Sequence, residues 1–388
     1  MKNILVLTLI FVSLISCIKK TEDEPSAGTS KQAVVKNYAN IVHATYEDAY
    51  NEAVVLKTKA AAFVAAPSAN GLIEVQEAYI NARKPYEHSE AFRFYGGPID
   101  NDVDGPEGMM NAWPMDEAYL DYVSGNSTAG VINDPITYPT ITKDNILDLN
   151  EVGGETNIAT GYHTIEFLLW GQDLSSAGPG ARPYTDYVTG GSGTALNQDR
   201  RGVYLLAAID LLVDHLDFLV TAWAPDNASN YRATFVADPS NSLSLLLTGL
   251  GNYTKGELAG ERMTVAYNTQ DQEDEHSCFS DDTHHDIVYG HESIMNVYTG
   301  KYTRLNGDVI SGASVSNLVS EANGTLNTEM ITLLNDAKTK SLLIQSPFDQ
   351  EIINSDGRVR VLNTINALKA EADKLVEAAA AIGITLAL

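Results

Sequence analysis

The chain has 388 residues, with 25 Lys plus Arg against 51 Asp plus Glu, a formal net charge of −26. That length suggests about two domains, and a hydrophobic content of 44% is ample for packed cores. So acidic a chain lacks the basic footprint that a nucleic-acid partner requires, while its charge favours solubility and attracts cations.

Met1-Lys2-Asn3 precedes an apolar run from Ile4 to Ile15, the layout of a signal peptide and too short to span a membrane. The run closes on Leu14-Ile15-Ser16-Cys17, which resembles a bacterial lipoprotein processing box. The expectation is a signal peptide over 1–17 and a lipid on Cys17. The anchored chain would then lie at the outer membrane or periplasmic face. Secretory cleavage with Cys17 incidental is the alternative. Residues 18–32 lack an apolar period and read as a flexible tether. With Cys17 acylated, the one other cysteine, Cys278, has no disulfide partner, and a small buried hydrophobe is its commoner role.

Tyr38, Ile41, Val42, Tyr46 and Ala49 recur at helical spacing within 33–66. A second helix is predicted over 72–93, kinked or split at Pro85. On that helix Arg83 and Glu90, seven apart, share one face. Residues 95–157 are rich in Gly, Pro, Asn and Asp, and so long an irregular segment is usually functional. Within it Asp100, Asp102, Asp104 and Gly105 mimic the start of a calcium loop. Asn111 stands at the twelfth place where a glutamate is needed, so the mimicry fails.

Gly161-Tyr162-His163-Thr164-Ile165-Glu166-Phe167-Leu168-Leu169-Trp170-Gly171 reads as a helix that stops at a left-handed glycine cap. It has no polar face and should be buried on nearly every side. His163 and Glu166, three apart, are neighbours on it. Such a buried pair is either a core-specifying hydrogen bond or half of a metal or ligand site of the kind that helical bundles build.

Gly161-x-His163-x-x-Glu166 and the residues after it resemble the signature of the imelysin-like family. These are bacterial envelope proteins associated with iron uptake, some first described as peptidases. Only Gly161, His163 and Glu166 match the defining motif residue by residue. The likeness extends to 82–94, to the loops 100–121 and 178–193, and to His276 through His284. It implies an all-α protein built of two helical-bundle domains.

Arg200 and Arg201 open a strong helix over 203–223, with Leu205, Ile209, Leu212, Leu216 and Leu219 inward. Pro225 and Asp226 end it, and a boundary near 230 separates bundles over 33–230 and 231–388. A helix over 243–269 carries four glycines, which let another backbone come close. Acids and three histidines then crowd into 271–285. Ser280 to Asp282 there can cap a helix that runs to Tyr298. Helices over 327–341 and 358–381 close the second bundle.

The zinc-peptidase pattern His-Glu-x-x-His and its inverted form are both missing, since Phe167 follows Glu166. The expected site gathers His163, Glu166, Glu90, Arg83, Asp281 and His284 in one polar pocket where the bundles meet. Gly161, Arg93, Arg182, His276 and Asp282 support it. Glu, Asp and His donors suit iron or another divalent metal, zinc and calcium included. The reading is a lipoprotein that binds a metal ion or metal-bearing ligand without catalysis, with protein partners in iron uptake. Its iron part rests on the resemblance. The alternatives are a metallopeptidase using His163 and Glu166, and a peptide- or sugar-binding module with Arg83, Arg93 and Arg182 as carboxylate clamps.

Overall fold

The computed structural model describes residues 28–388. The expected signal peptide, Cys17 and most of the tether lie outside them. Residues 28–32 differ from a free tether. The Thr29 N–H and hydroxyl bond Glu321, and helix α1 (Lys31–Ala65) has begun by Lys31, capped by the Ser30 side chain.

Helix α2 (Ala69–Glu87) folds back on α1 after Pro67, its first turn capped by Ser68. Pro85 sits in its last turn, and the helix ends two residues later. Glu90 therefore belongs to a separate 3-10 turn, Glu90–Phe92, and is not two turns along the face of Arg83. The segment 95–157 is less irregular than its composition predicts. It holds short helices at Glu107–Met110, Glu117–Leu120, Gly130–Asn133 and Lys143–Leu149. In the calcium-like stretch, Asp100 accepts backbone N–H groups of Phe94 and Gly97, while Asp102 and Asp104 face solvent.

Helix α3 (Gly161–Trp170) is buried at all ten positions, as its missing polar face predicts. It packs against α2 and against α4 (Gln198–Trp223), whose predicted inward residues, four leucines and one isoleucine, are all buried. Gly171 has φ 72 and ψ −169. This positive-φ region differs from the expected left-handed cap and is open essentially to glycine alone.

The predicted 243–269 helix is α5 (Pro239–Asn252), then a π-helix over Tyr253–Val265, then a last turn at Ala266–Thr269. Its i→i+5 ladder places Arg262 Nε 3.1 Å from Glu257 Oε1, five residues back. Gly249 makes the predicted close approach: a Cβ there would stand 2.3 Å from the Arg93 carbonyl oxygen. Gly256 meets nothing within 4 Å, so the same expectation fails there.

Helix α6 (Thr283–Thr299) leads into a hairpin that helical periodicity did not foresee, β1 (Lys301–Thr303) with β2 (Val309–Ser311), antiparallel with Tyr302 opposite Ile310. Tyr302 and Arg304 fasten it to Asp48 of α1. Helices α7 (Gly324–Ser341) and α8 (Ser355–Ala381) pack together, and α8 also packs against the π-helix. Helix α1 also touches α5, and α6 touches α2, so the buried apolar residues from Val34 to Leu386 form one continuous cluster. Burial of this kind is the main favourable term in folding. Among the described residues no helix is long and apolar enough to cross a membrane.

Candidate functional site

The site begins with Gly161, where α3 leaves Thr160. Its φ is +86, and a Cβ would stand 2.5 Å from the Met110 carbonyl oxygen, so a side chain is excluded on both counts. One turn on, His163 Nδ1 lies 3.2 Å from Glu166 Oε2. The other Glu166 oxygen accepts the Ser280 N–H at 2.9 Å and its hydroxyl at 2.6 Å. Burial first, and the Arg83 cation second, hold the His163 imidazole well below its ordinary range. Burial pushes Glu166 up to about 7, against the pull of Ser280 and Arg83. Glu166 thus takes up its proton near neutrality beside an imidazole that stays neutral. With Glu166 ionised, Nδ1 donates to it and Nε2 offers a lone pair; with Glu166 protonated, Nε2 carries the hydrogen. Nε2 is buried with no hydrogen-bond partner among the described residues.

Because Glu166 sits above its ordinary 4.5, the folded state holds that proton after the unfolded chain has lost it. Its contribution is complete below pH 4.5 and disappears as pH rises through about 7. Glu166→Gln cannot titrate and can keep both hydrogen-bonding partners. The variant should therefore gain on the native chain, by on the order of 1–3 kcal/mol, between those limits. Thermal melts across pH 4–8 check this, and parallel curves would refute it.

Behind this pair lies a buried ladder of alternating charges. Arg83 donates to Asn111 Oδ1 at 2.5 Å and lies 2.9 Å from Glu87 Oε1. It also lies 3.2 Å from His276 Nδ1 and 3.4 Å from both Asp286 oxygens. Glu87 passes the ladder to Arg262 at 2.9 Å; Arg262 bonds Glu90, and Arg93 bonds Glu90 at 2.7 Å. Burial alone would raise the Glu90 carboxyl, but Arg262 and Arg93 bring it down to about 2. Burial, then Asp286, push Glu87 up to about 8, while its two arginines pull it back. The Asp286 carboxyl is likewise held far below its usual range: Arg83, His276 and Ser277 outweigh the effect of burial. His276, 2.8 Å from Asp286, is kept neutral by burial and by Arg262.

A cavity of about 340 Å³ opens on one end of this ladder. Arg93, Glu107, Trp113, Glu257, Arg262 and His276 line it. His163 is not on its wall. Its ring stands 4.8 Å from both Trp113 and His276, one layer behind them. Glu87, His276 and Asp286 offer three buried donor atoms within 4.8 Å of one another. The Arg83 guanidinium contacts all three, so a metal ion would have to displace that cation. Among the described residues neither His163 nor Glu166 belongs to any such three-donor group.

Arg83, Glu90, Arg93, His163, Glu166 and His276 are thus brought together, and Gly161 positions them. The other expected members stand apart. Asp281, at φ 58, is buried with Oδ2 unpartnered; burial first, then Asp173 and Asp349, push it up to about 7. Its charged neighbours are carboxylates rather than the arginines. Asp282 occupies the N-cap position of α6 without a side-chain cap bond and pairs instead with His285 at 2.6 Å. His284 stacks on His285, outside the ladder. Arg182 belongs to a different buried cluster, 2.9 Å from Asp121, which also holds Arg201 at 2.7 Å. Cys278 is buried and forms no disulfide among the described residues. Sequence reasoning missed Glu87, Asp286, Trp113 and Arg262. Glu87 was within reach, since it lies four residues after Arg83.

The family model described as Imelysin (Peptidase M75) matches residues 42–375, most of the chain. The chain belongs to the imelysin family. Iron-regulated protein A of Synechococcus elongatus is 22% identical to it over 357 residues, covering 90% of this chain and 83% of that protein. Two solved imelysin-like folds resemble it. A crystal structure described as an iron-regulated protein A precursor from Parabacteroides distasonis has a TM-score of 0.71 at 18% identity, covering 92% of this chain and 97% of that one. An imelysin-like protein from Psychrobacter arcticum has a TM-score of 0.64 at 11% identity, covering 93% of this chain and all of that one. At such identities these two carry the fold.

Proposed function

We propose that this imelysin is an envelope-anchored binding protein for a small iron-bearing chelate, taken up in the cavity between Trp113, His276 and Arg262. The observation that carries the reading is the cavity beside a donor triad already filled by Arg83. Its volume of about 340 Å³ is that of a small-molecule pocket. A bare ion is far smaller and would have to expel a guanidinium. The lining offers arginines, carboxylates, an imidazole and an indole, which suit the oxygen-rich periphery of a chelate. Iron enters through the relative named Iron-regulated protein A.

The arginine-clamp alternative keeps only Arg93 at this cavity, since Arg83 and Arg182 are paired with buried carboxylates and do not line it. Peptide hydrolysis at His163 and Glu166 needs a third ligand, which no nearby His, Cys, Asp or Glu among the described residues supplies. Equilibrium dialysis against iron-loaded organic-acid chelates, iron-free chelators and aquo-cations tests the reading. One loaded chelate per chain is expected, with weaker retention of the free chelator. Retention of aquo-cations alone would overturn it.

The anchor belongs to the same proposal. Leu14-Ile15-Ser16-Cys17 and the polar residues after it favour a mature chain beginning at an acylated Cys17. Intact mass of the protein from membranes of the native organism should show that N-terminus carrying lipid. An unmodified N-terminus elsewhere would end the idea.

A further inference from the structure

The first turn of α6 points in two chemical directions. Asp286 faces inward to Arg83 and His276, as described. Asp282, His284 and His285 form a second group, half-exposed at its histidines, whose donor atoms all lie within 4.8 Å of one another. Adjacent residues on a helix diverge by about 100° and do not normally face each other. Here the His284 and His285 rings nevertheless stand 4.0 Å apart at an angle of 34°.

Both rings are held rather than free. His285 Nδ1 lies 2.6 Å from Asp282 Oδ1, and its face stacks on Tyr289 at 5.4 Å and 12°. The contact holds the Asp282 oxygen and His285 Nδ1 side by side, and a metal ion taking both would replace the proton between them. His284 Nδ1 is buried and has no hydrogen-bond partner among the described residues. A ring nitrogen left this way beside a second imidazole and a carboxylate is the donor chemistry of a metal site. Unlike the inner triad, this group has no arginine or lysine within salt-bridge distance among the described residues. Lys84 lies over the Tyr289 ring at 5.0 Å. The helix N-terminus opposes a cation there, and the acids at 281, 282 and 286 offset it.

We propose that Asp282, His284 and His285 form a separate surface site for a borderline divalent transition-metal ion of the zinc and copper class. Three protein donors leave a fourth position open to water or to a ligand from outside. The site does not depend on the cavity, because neither imidazole lines it and neither bonds Arg83, Glu87 or His276.

Zinc titration of tag-free full-length protein by calorimetry tests this. One zinc per chain is expected, with affinity at least tenfold lower in both His284→Ala and His285→Ala. His276→Ala, in the inner network, should bind zinc as the native chain does. Melting curves establish that each variant is folded; His285, the more exposed of the pair, provides the variant least prone to structural damage. Zinc retained undiminished by the double variant His284→Ala/His285→Ala, or lost in His276→Ala instead, would overturn the proposal. So would a native chain that binds no zinc.

Discussion

Replacing Arg83 by methionine is expected to cost about 3–5 kcal/mol of stability, the range for breaking a buried ion pair by removing one partner. Arg83 is 1% exposed, and its guanidinium reaches Glu87, Asp286, His276 and Asn111 at once while lying over the Tyr162 ring at 5.1 Å. Methionine keeps much of the volume but leaves two buried acids short of a cation. Arg83→Lys should lose less, since an ammonium retains the charge but lacks the planar fork. Urea unfolding measures both. A loss below about 1 kcal/mol for the methionine variant would mean that Arg262 and Ser277 alone hold the acids, and the ladder would not be the organising element.

The second large effect is on binding. His276 both lines the cavity and contacts Asp286 and Arg83, so it joins ligand and ladder. His276→Ala should weaken chelate binding at least tenfold, about 1.4 kcal/mol or more. Its stability should fall by about 1–3 kcal/mol through the partner it leaves unpaired. His284→Ala, outside the ladder, should bind the chelate as the native chain does. Equal losses in the two variants would separate binding from this cavity.

The sequence announced the buried helix at 161–170, because its apolar run leaves no face for water and Gly161 and Gly171 stand at its ends. The convergence of His163 with Arg83 was likewise legible as a buried imidazole and a buried cation in search of partners. Glu90 was misplaced because Pro85 made a kink foreseeable but not the change to a 3-10 turn three residues beyond the helix end. Arg262 was invisible for another reason. In a π-helix its partner Glu257 is five residues away, a spacing that no α-helical template reads as a shared face. Arg182 illustrates the remaining limit: its partner Asp121 is 61 residues distant, so sequence spacing cannot distinguish a structural pair from a ligand clamp. The family itself was readable from three residues of one helix, which the match over 42–375 bears out.

The claim that iron arrives as a chelate in the cavity, and not as an ion among the histidines, is tested most directly by diffraction at the iron absorption edge. Crystals grown with an iron-loaded chelate should show one anomalous peak inside the cavity bounded by Trp113, His276 and Arg262, with Arg83 still in contact with Glu87 and Asp286. A peak at the centre of Glu87, His276 and Asp286 with Arg83 expelled would contradict the account, as would iron held only at His284 and His285.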